Sequence, residues 1–238
     1  MSSLLRAARA LAVGVVAVAA LTACGPALTE PPPTPSHLDL GAVDVEGTER
    51  NGIEYLTGAD ALTVAIRAMR GGGPVQVSGD YARAGDPDEG IPAGSVRLDF
   101  VGTSSAYRAT VIADGTTHEL HVSGLAAAVR SDAGEWSCVA ADAALVRRWA
   151  PLLDPAELVA ALLGDGSALA VSPPRGAPAT VELLLGATEG ASGALTVAAE
   201  GAALPSRLVL ADGSSWAEFA FASWGVDPGI ELPGDCAS

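Results

Sequence analysis

The 238-residue sequence contains no lysine: all 13 basic residues are arginine, and 28 residues are acidic. The resulting net charge of -15 argues against a nucleic-acid-binding protein, because phosphate contacts need clustered basic side chains. Charged residues make up 17% of the chain and aromatic residues only 4%. Three cysteines and three histidines offer few ligands for a metal or redox enzyme.

The first 23 residues have the organisation of an export signal. Arg6 and Arg9 precede an apolar core over residues 10–21, and no acidic residue occurs before Glu30. The core is shorter than the roughly 20 residues that cross a bilayer as a helix. It has the length of the apolar region of a signal peptide, so we expect residues 1–23 to be removed.

The segment Leu21-Thr22-Ala23-Cys24-Gly25 resembles the lipobox of bacterial lipoproteins. The resemblance implies that Cys24 receives a thioether-linked diacylglycerol and becomes the first residue of the mature chain. Two acyl chains give stable anchoring where one gives marginal binding. We therefore expect a lipid-anchored protein at the extracytoplasmic face of the cell membrane. The alternative is an ordinary secretory signal that happens to end near a cysteine.

Residues 24–52 form a predicted tether between the lipidated cysteine and a folded domain over residues 53–238. Residues 25–36 contain five prolines, which favour an extended polyproline spacer. Residues 37–52 are acidic, and we expect the folded domain to begin after them.

The two remaining cysteines, Cys138 and Cys236, are an even pair in an oxidising compartment, and we expect a disulfide between them. Closing so long a loop is worth about 4–5 kcal/mol in the chain-entropy model. Two free thiols are the alternative.

Apolar periodicity predicts an α+β domain with mostly antiparallel strands. A helix is expected over residues 57–69, with Thr57 as its N-cap and Gly71-Gly72-Gly73-Pro74 after it. Alternating patterns then predict four strands over residues 75–122, a short strand at 135–139, helices at 142–149 and 154–163, and four strands over residues 180–221. Asp114-Gly115 and Asp212-Gly213 indicate hairpin turns.

This order of elements indicates a strongly curved antiparallel β-sheet, a half-barrel, with helices packed on its concave face. Such a sheet can enclose an apolar cavity. Ten inward-facing residues are the candidates for contact with an acyl chain: Val75, Val77, Val96, Leu98, Phe100, Val181, Leu183, Leu185, Phe219 and Phe221. Alternatively, they fill an ordinary core.

Four short stretches are similar to those of the actinobacterial LppX/LprAFG lipoproteins, which share a half-barrel fold with the LolA-like carriers. They are Val75-Gln76-Val77-Ser78-Gly79, Gly134-Glu135-Trp136-Ser137-Cys138-Val139, residues 197–205, and Phe221-Ala222-Ser223-Trp224 followed by Pro233. The resemblance covers residues 55–233. It implies a protein that binds acylated lipids or glycolipids between sheet and helices and helps to move them across the cell envelope.

Candidate catalytic and metal-binding motifs are weak. His118 and His121 lie three residues apart, so on a strand they point to opposite faces and cannot share an ion. No serine-hydrolase elbow or phosphate-binding loop is present in the sequence. We therefore expect no enzyme activity, no cofactor and no metal.

The sequence favours a membrane-anchored lipoprotein that binds a lipid or glycolipid, possesses no nucleic-acid partner and serves lipid transport. The main alternative is an envelope interaction or sensing lipoprotein of the same fold without a bound ligand.

The lipidation hypothesis predicts the effect of Cys24→Ala. The substitution removes the thiol that carries the diacylglycerol, so metabolic labelling of the protein with radioactive palmitate should be lost. Labelling that persists in the variant would show that the acyl group lies elsewhere.

Overall fold

The computed structural model describes residues 50–83, 94–186, 190–213 and 215–236. The predicted signal peptide, Cys24 and nearly all of the predicted tether lie outside these residues. The chain enters the described structure at Arg50, which pairs with Glu200, and the Asn51 side chain donates hydrogen bonds to the carbonyls of Ala198 and Gly201.

Among the described residues, eleven strands form one antiparallel sheet in the order β6-β5-β4-β3-β2-β1-β11-β10-β9-β8-β7. The strands are β1 Val75–Arg83, β2 Gly94–Thr103, β3 Ala106–Ala113, β4 Thr116–Ser123, β5 Ala126–Ser131, β6 Ser137–Ala140, β7 Leu169–Val171, β8 Thr180–Leu185, β9 Ser192–Ala198, β10 Pro205–Ala211 and β11 Trp216–Ala222. The sheet is curved and does not close, and β6 and β7 are its edges. The predicted half-barrel with helices on one face is confirmed.

Four α-helices of the described part of the chain cover the concave face: α1 Gly58–Gly71, α2 Ala144–Arg147, α3 Ala150–Leu153 and α4 Pro155–Leu163. α1 packs on α4, β7 and β8, whereas α2 packs on β5. None of the helices among the described residues combines the length and the apolar character needed to cross a bilayer.

The predicted helix caps are present. The Thr57 hydroxyl accepts a hydrogen bond from the Asp60 amide at 3.2 Å, and it donates to the Asp60 carboxylate at 2.7 Å. Asp154 accepts from the amides of Ala156 and Glu157, at 3.0 and 3.1 Å, and Pro155 occupies the first position of α4. These bonds satisfy amide groups that a helix leaves without partners at its N-terminus.

Sequence periodicity missed two strands and misjudged one helix. β5 begins with three alanines, which give no alternation of apolar and polar residues, and β7 has only three residues. The single helix expected over residues 142–149 is instead two one-turn helices that meet at Arg148 and Trp149. The break carries the Trp149 ring onto His118, at 5.1 Å between ring centroids.

Cys138 and Cys236 form the disulfide that the sequence predicts, with their Cα atoms 5.3 Å apart. Cys138 pairs with Ala128 on the convex face of the sheet. The Glu231 carbonyl also lies 3.1 Å from the His121 Nδ1 atom on this face. The C-terminal segment is therefore bound across the convex side of β4, β5 and β6.

Two glycines of α1 allow a test of how closely the helix packs on the sheet edge. A Cβ atom at Gly58 would overlap the Leu169 carbonyl of β7, whereas one at Gly71 would meet nothing within 4 Å. We expect Gly58→Ala to lower the free energy of unfolding by about 1–3 kcal/mol. Gly71→Ala, in the same helix, should leave it unchanged or raise it by up to about 1 kcal/mol. Urea denaturation of both variants measures the difference, and an equal response of the two would contradict this packing.

Candidate functional site

An open groove of about 710 Å³ lies where the two shortest helices cover the sheet. Its walls come from three places: the β2–β3 turn, the β4–β5 turn, and the segment from the end of β6 through α3. The helices here have only four residues each, so they cover little of the sheet beneath them.

The floor of the groove is apolar and buried. It consists of Tyr107 and Val122 from the sheet and Val146 and Leu153 from α2 and α3, each no more than 5% exposed. The Tyr107 ring packs against Phe100, with 5.5 Å between ring centroids, and so connects the groove to the main core. Burial raises the pKa of Tyr107 to about 12, so its phenol is uncharged at neutral pH. A floor without charge suits hydrocarbon.

Small residues create the space. Gly124, Ala140, Ala141 and Ala150 line the groove, and larger side chains at these positions would fill it. This contrasts with close-packed protein interiors, which hold few voids larger than a water molecule.

Polar residues stand around the groove: Ser104, Ser105, Asp142, Arg147 and Asp154. A second pocket of about 340 Å³ shares Ser104 and Asp154 with it and extends towards Arg70 and Trp224. The arrangement joins an apolar floor to a polar surround that continues along the end of the sheet. It fits a molecule with one hydrocarbon part and one polar part.

The ten candidate residues all lie on the strands of the sheet, but none of them lines the 710 Å³ groove. Eight are at most 4% exposed and belong to the packed core: Val75, Val77, Leu98, Phe100, Val181, Leu183, Phe219 and Phe221. Val96 and Leu185 are partly buried against that core. Their contact with a ligand stays a prediction, and Phe100 is the member next to the groove floor.

The small residues that line the groove were missed because their residue types give no apolar signal, and its apolar floor has the pattern of ordinary core residues. Alanine, glycine and serine at turns read as loop residues, and β5, which contributes to this region, was not predicted. The sequence offers one signal for this site, the Gly124-Leu125 pair before Ala126, because a large apolar residue beside a turn glycine is unusual in a polar loop. In the structure Leu125 is 92% exposed.

The two histidines lie on opposite faces of β4, as predicted. On the concave side, the His118 ring packs on Trp149, and its Nδ1 atom lies 2.9 Å from the Ser131 hydroxyl and 3.2 Å from Arg148. On the convex side, His121 packs edge-on against Trp136, with 5.0 Å between ring centroids. In the described part of the chain, no three His, Cys, Asp or Glu side chains are placed to share a metal ion.

Comparisons with known proteins return structures only. No family model matches the chain, and no curated protein matches it. The similar structures include LprF of Mycobacterium bovis, with 14% identity and a TM-score of 0.42 over 76% of this chain and 97% of that chain. The lipoprotein LppX of Mycobacterium tuberculosis has 14% identity and a TM-score of 0.43 over 73% and 97%. Both bear the names of the family that the sequence resembles.

A third similar structure, a DUF1329 family protein of Desulfovibrio piger, has 11% identity and a TM-score of 0.28 over 77% of this chain and all of that chain (100%). With identities this low and TM-scores below 0.5, the function of this chain is argued from its own residues.

The pH dependence of stability tests the contact of His118 with Arg148 and Trp149, the two residues between α2 and α3. Burial and the nearby Arg148 guanidinium lower the pKa of His118 in the folded protein, while Asp132 opposes them. Because the unfolded chain then binds a proton more readily, stability falls as the pH drops through the unfolded value of about 6.5. Between pH of about 7.5 and 5.5, the melting temperature of His118→Gln should fall less than that of the wild type.

His121→Gln, on the opposite face, serves as the matched control and should keep the wild-type pH dependence that His118 produces. Identical profiles for the wild type and His118→Gln would contradict the prediction.

Proposed function

We propose that this protein is a membrane-anchored lipoprotein of the LppX/LprAFG-like type that binds the acyl chain of a lipid or glycolipid without catalysing a reaction. The single observation that carries the proposal is the groove of about 710 Å³ with its buried, uncharged floor of Tyr107, Val122, Val146 and Leu153. Its volume falls in the range of ligand pockets, about 300–1,000 Å³.

Binding of this kind needs no catalytic group. Each methylene that leaves water contributes about 0.8 kcal/mol, so an acyl chain can bind through burial alone. The alanines and glycine of the groove leave room for the chain, while Ser104, Ser105 and Arg147 stand where a polar headgroup would meet water.

The anchor and the site fit one role. A diacylglyceryl group on Cys24 keeps the folded domain near the membrane that holds its ligand, and the predicted proline-rich tether serves as a spacer between them. Transport of the lipid between the membrane and another envelope component is the function that we infer. An open groove suits lipid exchange because the lipid can enter and leave without unfolding of the core.

The direct test is native mass spectrometry of the chain from residue 25 onwards, secreted without the lipidation cysteine, before and after extraction with organic solvent. We expect extractable bound mass and uptake of a fluorescent fatty-acyl probe by the extracted protein. Neither bound mass nor uptake would contradict lipid binding and would favour the interaction or sensing alternative.

Filling the groove should abolish uptake. Ala150 is an exposed residue of α3 that lines the groove, so Ala150→Trp places a large ring in it. We expect probe affinity to fall by about tenfold or more, since even a few methylenes excluded from the site are worth over 1 kcal/mol.

The matched control is Ala144→Trp, because Ala144 is exposed on the preceding helix and does not line the groove. It should bind the probe as the wild type does. Equal loss in both variants would point to disturbed helices rather than to an occupied groove.

A further inference from the structure

Two exposed leucines flank the groove. Leu125 forms the tip of the β4–β5 turn and is 92% exposed, and Leu145 on α2 is 45% exposed. The two elements are joined, since the Ala141 amide, just before α2, donates a hydrogen bond to the Leu125 carbonyl at 2.9 Å. Two large apolar side chains thus project from the surface on which the groove opens.

The segment that carries Leu145 is basic and apolar in a strongly acidic chain. Residues 143–153 contain Arg147 and Arg148 and no acidic residue, and Asp142 and Asp154 bound them on either side. Acidic residues outnumber basic ones by 28 to 13 in the whole chain. An exposed leucine with an arginine beside it is typical of segments that lie in the membrane interface. Arg147 lines the groove, whereas Arg148 and Trp149 pack on His118, nearer the other end of β4. The net charge of -15, which belongs to the whole chain, is screened beyond about 10 Å at ordinary salt, so the local composition governs a contact.

The chain enters the described structure at the same end of the sheet. Arg50 pairs with Glu200, two residues after the end of β9. The end of β9 lies beside the start of β10, and the start of β10 lies beside the end of β11. The end of β11 lies beside the start of β1, and the start of β1 lies beside the end of β2. β2 is followed by the Ser104-Ser105 turn, which lines the groove. We call this the groove end of the sheet. Trp216, at the start of β11, lies at the opposite end.

We propose that the groove end docks on the lipid bilayer, with Leu125 and Leu145 inserted among the headgroups. The inference rests on the proposed function in one respect, the lipid anchor at Cys24, because the 25 residues between Cys24 and Arg50 lead from it to the groove end. Docking would place the groove opening against the membrane, so a lipid could enter without crossing water.

The test uses the full lipidated protein reconstituted into phosphatidylcholine–phosphatidylglycerol vesicles. Leu145→Cys provides a thiol for an environment-sensitive dye, because Cys138 and Cys236 are joined and Cys24 is acylated in the proposed form. Trp216→Cys is the matched control, since Trp216 is 46% exposed at the other end of the sheet. We expect nitroxide groups on the lipids to quench the dye at position 145, with a blue-shifted emission, and to leave the dye at position 216 unquenched.

Two further variants separate docking from occupation of the groove. Ala150→Trp fills the groove and should leave the quenching at position 145 in place, whereas loss of quenching would show that the dye had sensed a lipid in the groove. Leu125→Asp puts a charge at the fully solvated turn tip and should strongly reduce the quenching. Unchanged quenching in Leu125→Asp, or equal quenching at positions 145 and 216, would overturn the proposal.

Failure of the anchor gives a different result. A chain that remains in the supernatant and carries no acyl group refutes the anchor of the proposed function, and docking as stated with it. An anchored chain without quenching at position 145 overturns docking alone.

Discussion

An open sheet of eleven strands must bury one apolar face, and this requirement determines the rest of the structure. Valine, leucine and phenylalanine side chains from strands on both sides of β1 point to the concave side, where water must be excluded. Helices of 14, 4, 4 and 9 residues are available to cover them. α1 and α4 form the longer part of this cover, and α1 packs towards β7 and β8. The region of β3, β4 and β5 is left to the two shortest helices.

The groove follows from this uneven cover. Where α2 and α3 lie on the sheet, alanine and glycine line the remaining space, and Tyr107, Val122, Val146 and Leu153 stay buried at its floor. The helices keep their place through a few specific contacts, among them the Asp154 cap of α4 and the packing of Trp149 on His118. A site built in this way depends on shape and apolar surface rather than on reactive groups.

The sequence predicted the sheet because its strands alternate strongly and its turns carry Asp-Gly pairs. Thr57, Asp154 and Pro155 likewise marked helix starts, since capping is local and is encoded within a few residues. The groove was beyond such reasoning. The position of the groove depends on how far α2 and α3 extend across strands that are distant in sequence. The alanine, glycine and serine residues in its lining show no periodicity. Eight of the ten apolar candidates lie in the packed core, and Val96 and Leu185 are partly buried against it. Alternation does not distinguish a packed wall from the wall of a cavity.

Both faces of the sheet bear on the proposed role. The C-terminal segment is held on the convex side by the Cys138–Cys236 disulfide and by the contact of His121 with Glu231, so it does not cover the groove on the concave side. Arg50, where the described chain begins, the exposed Leu125 and the groove lie at one end of the strands. A lipid carrier needs such a geometry, because its ligand has to pass from a bilayer into the protein.

The central claim, that an acyl chain binds in the groove, is tested most directly by nuclear Overhauser effects between isotope-labelled protein and an unlabelled fatty-acyl lipid. The account predicts cross-peaks from the acyl methylenes to the methyl groups of Val122, Val146 and Leu153. Saturating lipid without such cross-peaks, or with cross-peaks only to residues outside the groove, would contradict it.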